Sequence, residues 1–186
     1  MTDALTDSTT VLAGQGIVLR NWIAADIDQV HLACQDPQTQ RWTTVPSPYT
    51  RADAEQYVAS SGERWSAGTP SFAVTDATGQ RILGSLGFVA PPFRSVVEIG
   101  FWISPWSRGQ GVAARATGAI CDWAFDTLGL HRVEWQAEVG NDASRRVAEK
   151  SGFTFEGTLR GRGVHKSGPV DLWIAGLLST DPRPWH

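Results

Sequence analysis

The feature that most constrains the fold of this chain is a glycine-bearing loop at residues 107–113, between a strand-like and a helix-like segment. The segment before it, residues 96–103, is rich in β-branched and aromatic residues, as strands are. After it, apolar residues recur at helical spacing from Val112 to Trp123. Glycines let a ligand approach the backbone closely, and the first N–H groups of a helix attract anions. With the positive charge of Arg108 in the loop, the sequence predicts a site for a pyrophosphate-bearing ligand.

The glycine spacing separates this loop from two widespread phosphate-binding motifs. It contains neither the Gly-x-Gly-x-x-Gly of dinucleotide sites nor the Gly-x-x-x-x-Gly-Lys-Ser/Thr of P-loops. The pattern that remains is Arg108-x-x-Gly111-x-Ala113, which by itself also fits an ordinary strand–turn–helix joint. The loop alone therefore predicts an anion site without naming the ligand.

Composition limits the classes of protein to which the chain can belong. With 186 residues, 41% apolar and 19% charged, it is long and apolar enough for one globular domain. The net charge of −3 gives no reason to expect nucleic-acid or membrane binding, and no apolar run approaches the roughly 20 residues of a transmembrane helix. Residues 1–10 lack the features of a signal peptide. Cys34 and Cys121 have no metal-ligand spacing, so we expect no metal site and a reducing, cytoplasmic setting.

Hydrophobic periodicity predicts an α+β domain in which most strands come in runs. Strands are predicted at residues 17–20, 72–75, 81–89, 96–103, 131–138, 171–178 and from 153 onward. Helices are predicted at residues 25–35, 52–67, 111–128 and 141–150. We expect a single domain over residues 14–180, a flexible N-terminal tail over residues 1–13 and a C-terminal tail over residues 181–186.

Three motifs in chain order resemble those of the GNAT acyltransferases. The Arg108 loop resembles their acetyl-coenzyme-A loop, written Gln/Arg-x-x-Gly-x-Gly/Ala. Residues 98–103, just before it, resemble the ribosomal-protein N-acetyltransferase (RimJ/RimL-like) branch of that family. So does the later pattern Asn141-x-x-Ser144 followed by residues 149–157. The resemblance covers nearly the whole of the predicted domain.

The resemblance implies a GNAT fold, with a central mixed, mostly antiparallel sheet flanked by about four helices. In that fold the fourth and fifth strands, here residues 96–103 and 131–138, splay apart. It also implies that acetyl-CoA is the co-substrate and that the acetyl group moves directly to a primary amine in a ternary complex. A protein N-terminal α-amino group is the acceptor that the branch suggests.

The residues expected to bind the cofactor, by this resemblance, fall into three groups. The backbone near Trp102 and Ile103 would pair with the pantetheine amides, and the Ile103 N–H would polarise the thioester carbonyl. The loop that would hold the pyrophosphate consists of Arg108, Gly109, Gln110, Gly111, Val112 and Ala113. Asn141 is at a helix N-cap position, where asparagine is common, and the resemblance adds a hydrogen bond to the pantetheine arm.

Glu98 is the candidate general base. Strand alternation places it with Gly100 and Trp102 on the face opposite the apolar Val97 and Ile99. A carboxylate in that setting is partly desolvated, which raises its pKa and suits proton transfer from an amine, directly or through water. A structural carboxylate paired with an arginine or lysine fits the sequence equally well.

Ser144 is the candidate partner of the leaving thiolate. Many GNAT enzymes use a tyrosine in the helix before a Gly-Phe pair, but that position here is Ala148. In the RimJ/RimL-like branch the serine of Asn-x-x-Ser is the suggested substitute. Because Ser144 lies in the first turn of a predicted helix, a solvated serine without a catalytic role is the alternative.

Other functions stay open at this level. The acceptor could be a small amine such as an amino acid, a polyamine or an antibiotic, and the acyl group could be another, such as succinyl. A non-catalytic acyl-CoA-binding module would keep the loop without turnover. Nine tryptophans and an apolar C-terminal strand are compatible with a homodimer. We expect no nucleic-acid, membrane or metal partner.

Overall fold

The computed structural model describes residues 2–165 and 168–186. These residues form one eight-stranded sheet with helices on both of its faces. The strands are β1 (Leu12–Gly14), β2 (Ile17–Arg20), β3 (Ser71–Asp76), β4 (Ile82–Phe88), β5 (Val96–Ile103), β6 (Arg132–Glu138), β7 (Thr154–His165) and β8 (Gly168–Leu178). The helices are α1 (Thr2–Thr6), α2 (Ile27–Cys34), α3 (Pro37–Trp42), α4 (Arg51–Ala59), α5 (Ser61–Ser66), α6 (Val112–Asp122) and α7 (Asp142–Lys150).

The order of the strands in the sheet is β1-β2-β3-β4-β5-β6-β8-β7. Among the described residues, all neighbouring pairs are antiparallel except β5 and β6, which run parallel. That parallel pairing stops at Ile99–Trp135, although β5 continues to Ile103 and β6 to Glu138. A wedge therefore opens between the two strands, and the predicted mixed, mostly antiparallel sheet with a splay between them is confirmed.

Each face of the sheet is covered by its own hydrophobic core. Under α6 and α7, Trp123 contacts Phe72 and Phe88, with ring centroids 5.6 and 5.5 Å apart. Such aromatic pairs are favourable beyond the area they bury. On the opposite face, α2 and α4 pack over a second core that includes Trp22 and Ile82. The second core leaves part of its face open, next to the wedge between β5 and β6.

Both chain ends have more structure than the predicted tails. Helix α1 lies within the predicted tail, and β1 pairs with β2 in antiparallel register. At the other end, Arg183 donates to Asp122 and Asp126 of the α6 region, and the Trp185 indole donates to Asp122 at 2.9 Å. These contacts join segments far apart in sequence, which local composition does not reveal.

The helices before β3 are more divided than their periodicity suggests. The segment predicted as a helix over 52–67 is broken at Ser60 into α4 and α5. Pro37 follows the end of α2 and begins α3, because proline is tolerated in the first helical turn. Asp36 caps α3 by accepting the Thr39 N–H at 2.8 Å. None of the described helices is both long and apolar enough to cross a membrane.

Candidate active site

Two clefts open where β5 and β6 separate. The first, of about 420 Å³, is bounded by the end of β5, the loop before α6, and parts of α3, α6 and α7. The second, of about 500 Å³, is bounded by β3 to β6 and by side chains from α4 and α5. Both are lined by the same six residues: Trp42, Thr43, Phe101, Trp102, Asn141 and Ser144. The clefts therefore meet at the wedge.

The loop before α6 is shaped by Gly109 and Gly111, whose φ angles of 74° and 71° lie in the left-handed region. A Cβ at either position would meet no atom within 4 Å, so the space beside them is open. Gly111 is also the N-cap of α6, and the Arg115 N–H donates to its carbonyl at 3.1 Å. The N–H groups before Arg115 have no acceptor one helical turn earlier, so they can bind an anion.

Arg108 is held by an ion pair with the N-cap of α3. Its Nη2 donates to Asp36 Oδ2 at 2.5 Å and to Thr39 Oγ1 at 3.0 Å. Burial raises the pKa of Asp36, but hydrogen bonds from Arg108 and Thr39 outweigh it and hold that pKa below its usual range. The loop arginine thus also contacts α3, through Asp36 and Thr39. The sequence gives no sign of this, because Asp36 lies 72 residues earlier.

Helix α7 adds positive charge to the first cleft. Arg146 and Lys150 line it four residues apart, and this spacing places them on the same side of a helix. They were not among the predicted binding residues, although that spacing was visible in the sequence. Gln110, which was predicted, is not among the described residues that line this cleft, and its Nε2 donates to the Trp106 carbonyl at 3.0 Å.

The backbone of β5 presents unpaired groups to the wedge. The Ser104 N–H donates to the Leu83 carbonyl at 2.9 Å, so the even-numbered residues of β5 are those that bond to β4. The Ile103 N–H therefore points toward β6, beyond the point where the pairing has stopped. The Trp102 backbone bonds to β4 by the same alternation, which leaves its side chain as the part that reaches both clefts.

Glu98 lies on the wall of the second cleft. Gln136 Nε2 donates to Glu98 Oε2 at 2.9 Å. Burial raises the pKa of Glu98, the nearby charge of Glu134 raises it further, and Arg162 lowers it. Among the residues that the structure describes, no arginine or lysine forms an ion pair with this carboxylate. These are the properties of a carboxylate that can act as a proton acceptor.

Ser144 lies at the junction of the two clefts. Asn141 caps α7 by accepting the Ser144 N–H at 3.2 Å, as its position in the sequence predicts. The Trp135 indole N–H donates to Ser144 Oγ at 3.0 Å. A hydroxyl that accepts one hydrogen bond keeps its own hydrogen, so Ser144 can still donate to a third atom. Trp135, which the sequence analysis did not assign to the site, thereby fixes the position of the hydroxyl oxygen.

An ion pair closes one side of the second cleft. The two terminal nitrogens of Arg41 donate to the two carboxylate oxygens of Glu138 at 3.0 and 2.6 Å. The Arg41 hydrogen bond lowers the pKa of Glu138 against the effect of burial. The pair links α3 to the end of β6. Of the two carboxylates that line this cleft in the described part of the chain, Glu138 is therefore held by an arginine and Glu98 is not.

A match to a known domain family decides what these clefts belong to. The family model described as "Acetyltransferase (GNAT) domain" matches residues 17–154, which include the wedge and the loop before α6. This chain belongs to the GNAT acetyltransferase family. The resemblance predicted from the Arg108 loop and the Asn141 block is thereby confirmed.

Individual GNAT proteins agree with this assignment. The chain is 41% identical over 90 residues to YdaF of Bacillus subtilis, a protein provisionally named as a ribosomal N-acetyltransferase. The match spans about half of each protein, 48% of this chain and 47% of YdaF. A GCN5-related N-acetyltransferase from Brucella melitensis superposes with a TM-score of 0.80 at 26% identity, over 97% of this chain and 82% of that one. RimL, a ribosomal L7/L12 α-N-protein acetyltransferase solved with coenzyme A, shares the fold with a TM-score of 0.80 at 19% identity, over 91% of this chain and 98% of RimL.

The GNAT fold brings the predicted residues together in two groups. The first cleft is lined by Trp102, Ile103, Arg108, Gly109, Gly111, Val112, Ala113, Asn141 and Ser144. Glu98 lies in the second cleft, which Ser144 also lines. Among the described residues, no group of three His, Cys, Asp or Glu side chains is placed to hold a metal ion. The arrangement can hold an anionic ligand on one side and an amine on the other.

Proposed function

We propose that this GNAT domain transfers an acetyl group from acetyl-CoA to a primary amine, directly and within a ternary complex. The observation that carries the proposal is the junction of two clefts, one rich in anion-binding groups and the other containing a half-buried carboxylate. RimL, which has the same fold, is named for acetylating an α-amino group of a ribosomal protein, and this supports a protein N-terminus as the acceptor. The single domain proposed over residues 14–180 contains every residue that lines either cleft.

Coenzyme A fits the chemistry of the first cleft. Its pyrophosphate would meet the N–H groups of residues 109–113 and the cations of Arg146 and Lys150, while Ile103 and Asn141 offer polar groups to the pantetheine amides. The open space beside the left-handed glycines lets phosphate oxygens approach the backbone. A cleft of about 420 Å³ is within the usual range for small-molecule sites. Bound acetyl-CoA supplies an activated thioester.

Three groups of the protein act on the reacting atoms. Glu98 accepts the proton that the acceptor ammonium has to lose before its nitrogen lone pair can attack a carbonyl carbon. The Ile103 N–H donates to the carbonyl oxygen on which negative charge develops. The Ser144 hydroxyl donates a hydrogen bond to the sulfur atom as the carbon–sulfur bond breaks, and the departing thiolate takes up the second proton that the nitrogen loses.

Release of coenzyme A by the purified protein tests this function. Acetyl-CoA and succinyl-CoA are each combined with a panel of N-terminal peptides and of small amines, and mass spectrometry locates the acyl group. We expect acetylation of peptide α-amino groups, with intersecting initial-velocity patterns and no acetylated enzyme. Turnover only with small amines would move the function to metabolite or drug modification. Binding of acetyl-CoA without turnover of any acceptor would support a non-catalytic module.

Substitution Ser144→Ala is expected to lower kcat by roughly tenfold to 100-fold while acetyl-CoA affinity stays within about threefold. A lost hydrogen bond to a charged group has a free energy in the range that these factors represent. The substitution also leaves the buried Trp135 indole N–H without its acceptor, so some loss of stability accompanies the loss of rate. Steady-state kinetics and thermal melts of the same preparation measure both effects.

The control for this experiment is Trp135→Phe. It removes the same hydrogen bond to Ser144 but keeps the hydroxyl group. If the hydroxyl acts on the leaving thiolate, Trp135→Phe retains more activity than Ser144→Ala, although the smaller ring leaves a cavity in the core and lowers the melting temperature further. Equal losses of activity in the two variants would contradict a catalytic role for the hydroxyl.

A further inference from the structure

Arg64 lies on the wall of the second cleft. Its two terminal nitrogens donate to Ser60 Oγ at 2.6 Å and to the Tyr57 carbonyl at 2.8 Å. Its guanidinium carbon lies 4.4 Å from the centre of the Tyr57 ring. Its Nε is buried and has no hydrogen-bond partner among the described residues. Since a guanidinium has five N–H donors, Arg64 is fixed in position with donors left unused.

Arg64 also lacks a counterion. Within the described part of the chain, no carboxylate forms an ion pair with it. Burial lowers the pKa of Arg64 against the effects of Tyr57 and Glu63, but a guanidinium stays charged at any physiological pH. Among the other partly buried arginines that the structure describes, Arg20, Arg132 and Arg183 pair with carboxylates, whereas Arg115, which lines neither cleft, donates only to the backbone carbonyls of Gln15 and Gln110. A fixed, half-buried cation without a partner in a cleft is suited to bind an anion.

The floor of the second cleft connects Arg64 to the base. The Tyr57 ring that supports Arg64 bonds through its hydroxyl to Ser71 Oγ and Ser85 Oγ, both at 2.9 Å. Ser71 pairs with Gly87 across β3 and β4, and Gly87 pairs with Gly100 across β4 and β5. The region of Arg64 and the strand that carries the base therefore belong to one continuous surface.

Strand geometry gives the scale of that surface. Gly100 lies two residues from Glu98 on the same face of β5, so the Cα atoms of Ser71 and Glu98 are roughly 12 Å apart. The two glycines between them, Gly87 and Gly100, place no side chain on the floor. One extended residue spans about 3.5 Å, so two or three residues of an extended peptide fit this length.

We infer that the acceptor carries a carboxylate close to its amine and that Arg64 binds this carboxylate. The preferred protein acceptors therefore have an acidic side chain at the second or third residue of their N-terminus. The inference rests on the proposed function. A free amino acid has the same two charged groups. The shared chemistry is an amine with a nearby carboxylate, and the assay distinguishes its sources.

The test compares two peptides, Ser-Asp-Ala-Ala and Ser-Asn-Ala-Ala, as acceptors for the intact protein. They differ only in that one side chain carries a carboxylate and the other a carboxamide. We expect kcat/KM to be about tenfold or more higher for the Asp peptide, as for a charge-assisted hydrogen bond. In Arg64→Gln that ratio falls to near one, while kcat/KM for the Asn peptide changes by less than about threefold. Arg64→Lys keeps the charge and retains part of the preference.

Arg81→Gln is the matched control, because Arg81 is exposed and lines neither cleft. It changes the net charge by the same amount and is expected to leave the ratio unchanged. A wild-type ratio near one, or a ratio that survives Arg64→Gln, would overturn the inference.

Two further measurements distinguish a failure of this inference from a failure of the proposed function. If free amino acids are acetylated but their carboxamides are not, and Arg64→Gln abolishes that difference, Arg64 has its inferred role and the protein N-terminus is the wrong acceptor. If no acceptor turns over, calorimetric binding of the acetylated Asp and Asn peptides gives the same comparison without catalysis. Equal affinities of the two peptides would then overturn the inference.

Discussion

Replacing Gly111 with valine should raise the dissociation constant for coenzyme A by on the order of 100-fold, as expected when two hydrogen bonds to a charged group are lost. At Gly111, φ is 71° and the space beside the Cα atom is open. A branched side chain would occupy the volume through which phosphate oxygens reach the N–H groups at the start of α6. Isothermal titration calorimetry with coenzyme A measures the effect directly.

Gly129→Val provides the control for backbone strain. Gly129 has φ of 66°, has no atom within 4 Å of the Cβ position, and follows α6 at the end away from the loop. A β-branched residue in the left-handed region costs a similar amount of free energy at either glycine. Both variants are therefore expected to be destabilised, but only Gly111→Val to lose affinity. Coenzyme A binding that is equally strong in both variants would rule out the loop as the pyrophosphate site.

Substitution Glu98→Gln should lower kcat by about 100-fold or more at neutral pH, the usual effect of removing a general base. The substituted amide can still accept the hydrogen bond from Gln136, so the local structure and acetyl-CoA affinity are expected to persist. Because the base has to be deprotonated, the wild-type rate rises with pH through the pKa of Glu98, which burial and Glu134 raise above its usual value. That acidic limb of the pH–rate profile disappears in Glu98→Gln.

Glu134→Gln is the informative companion variant. Glu134 lies opposite Glu98 in the parallel pairing of β5 and β6, and its charge raises the pKa of Glu98. Removing that charge should move the acidic limb to lower pH without abolishing it. An acidic limb that is the same in all three proteins would assign it to another group and leave Glu98 a structural role.

The raised pKa of Glu98 also determines how this group affects stability. The folded state binds the proton more tightly than the unfolded chain does, so stability falls as pH rises from the usual carboxyl pKa through the raised one. Above the raised pKa the folded protein therefore holds an unfavourably buried charge. Glu98→Gln removes that charge and should melt at a temperature no lower than the wild type at pH 7, with a smaller difference under acidic conditions.

Local sequence pattern predicted the parts of the site that depend on one segment. The glycines of the loop, the Asn141 cap and the position of Glu98 opposite the core follow from short-range rules of turn, cap and strand alternation. These rules hold because backbone geometry fixes where such side chains point. The positions of these residues beside the clefts, and the GNAT fold, could therefore be predicted from the sequence.

The parts that the sequence missed depend on contacts between distant segments. The partner of Arg108 is Asp36, and the partner of Ser144 is Trp135, whose alternation in β6 indicates only that it is buried. Arg64 lies in a segment that the sequence predicts as helical, but its place in the second cleft without an ion pair among the described residues depends on the folded arrangement. Which charges meet is a property of the folded chain, and no periodicity encodes it.

The early end of pairing between β5 and β6 has a thermodynamic consequence. Past Ile99 and Trp135 each strand continues without the hydrogen bonds that a completed sheet would have there, and the Ile103 N–H is among the groups left over. A ligand with amide groups that lies in this gap acts as a substitute strand and binds only to the folded state. By mass action it stabilises the protein in proportion to the logarithm of its concentration above its dissociation constant. The melting temperature is thus a direct measure of occupancy, and it can rank ligands before any reaction has been assayed.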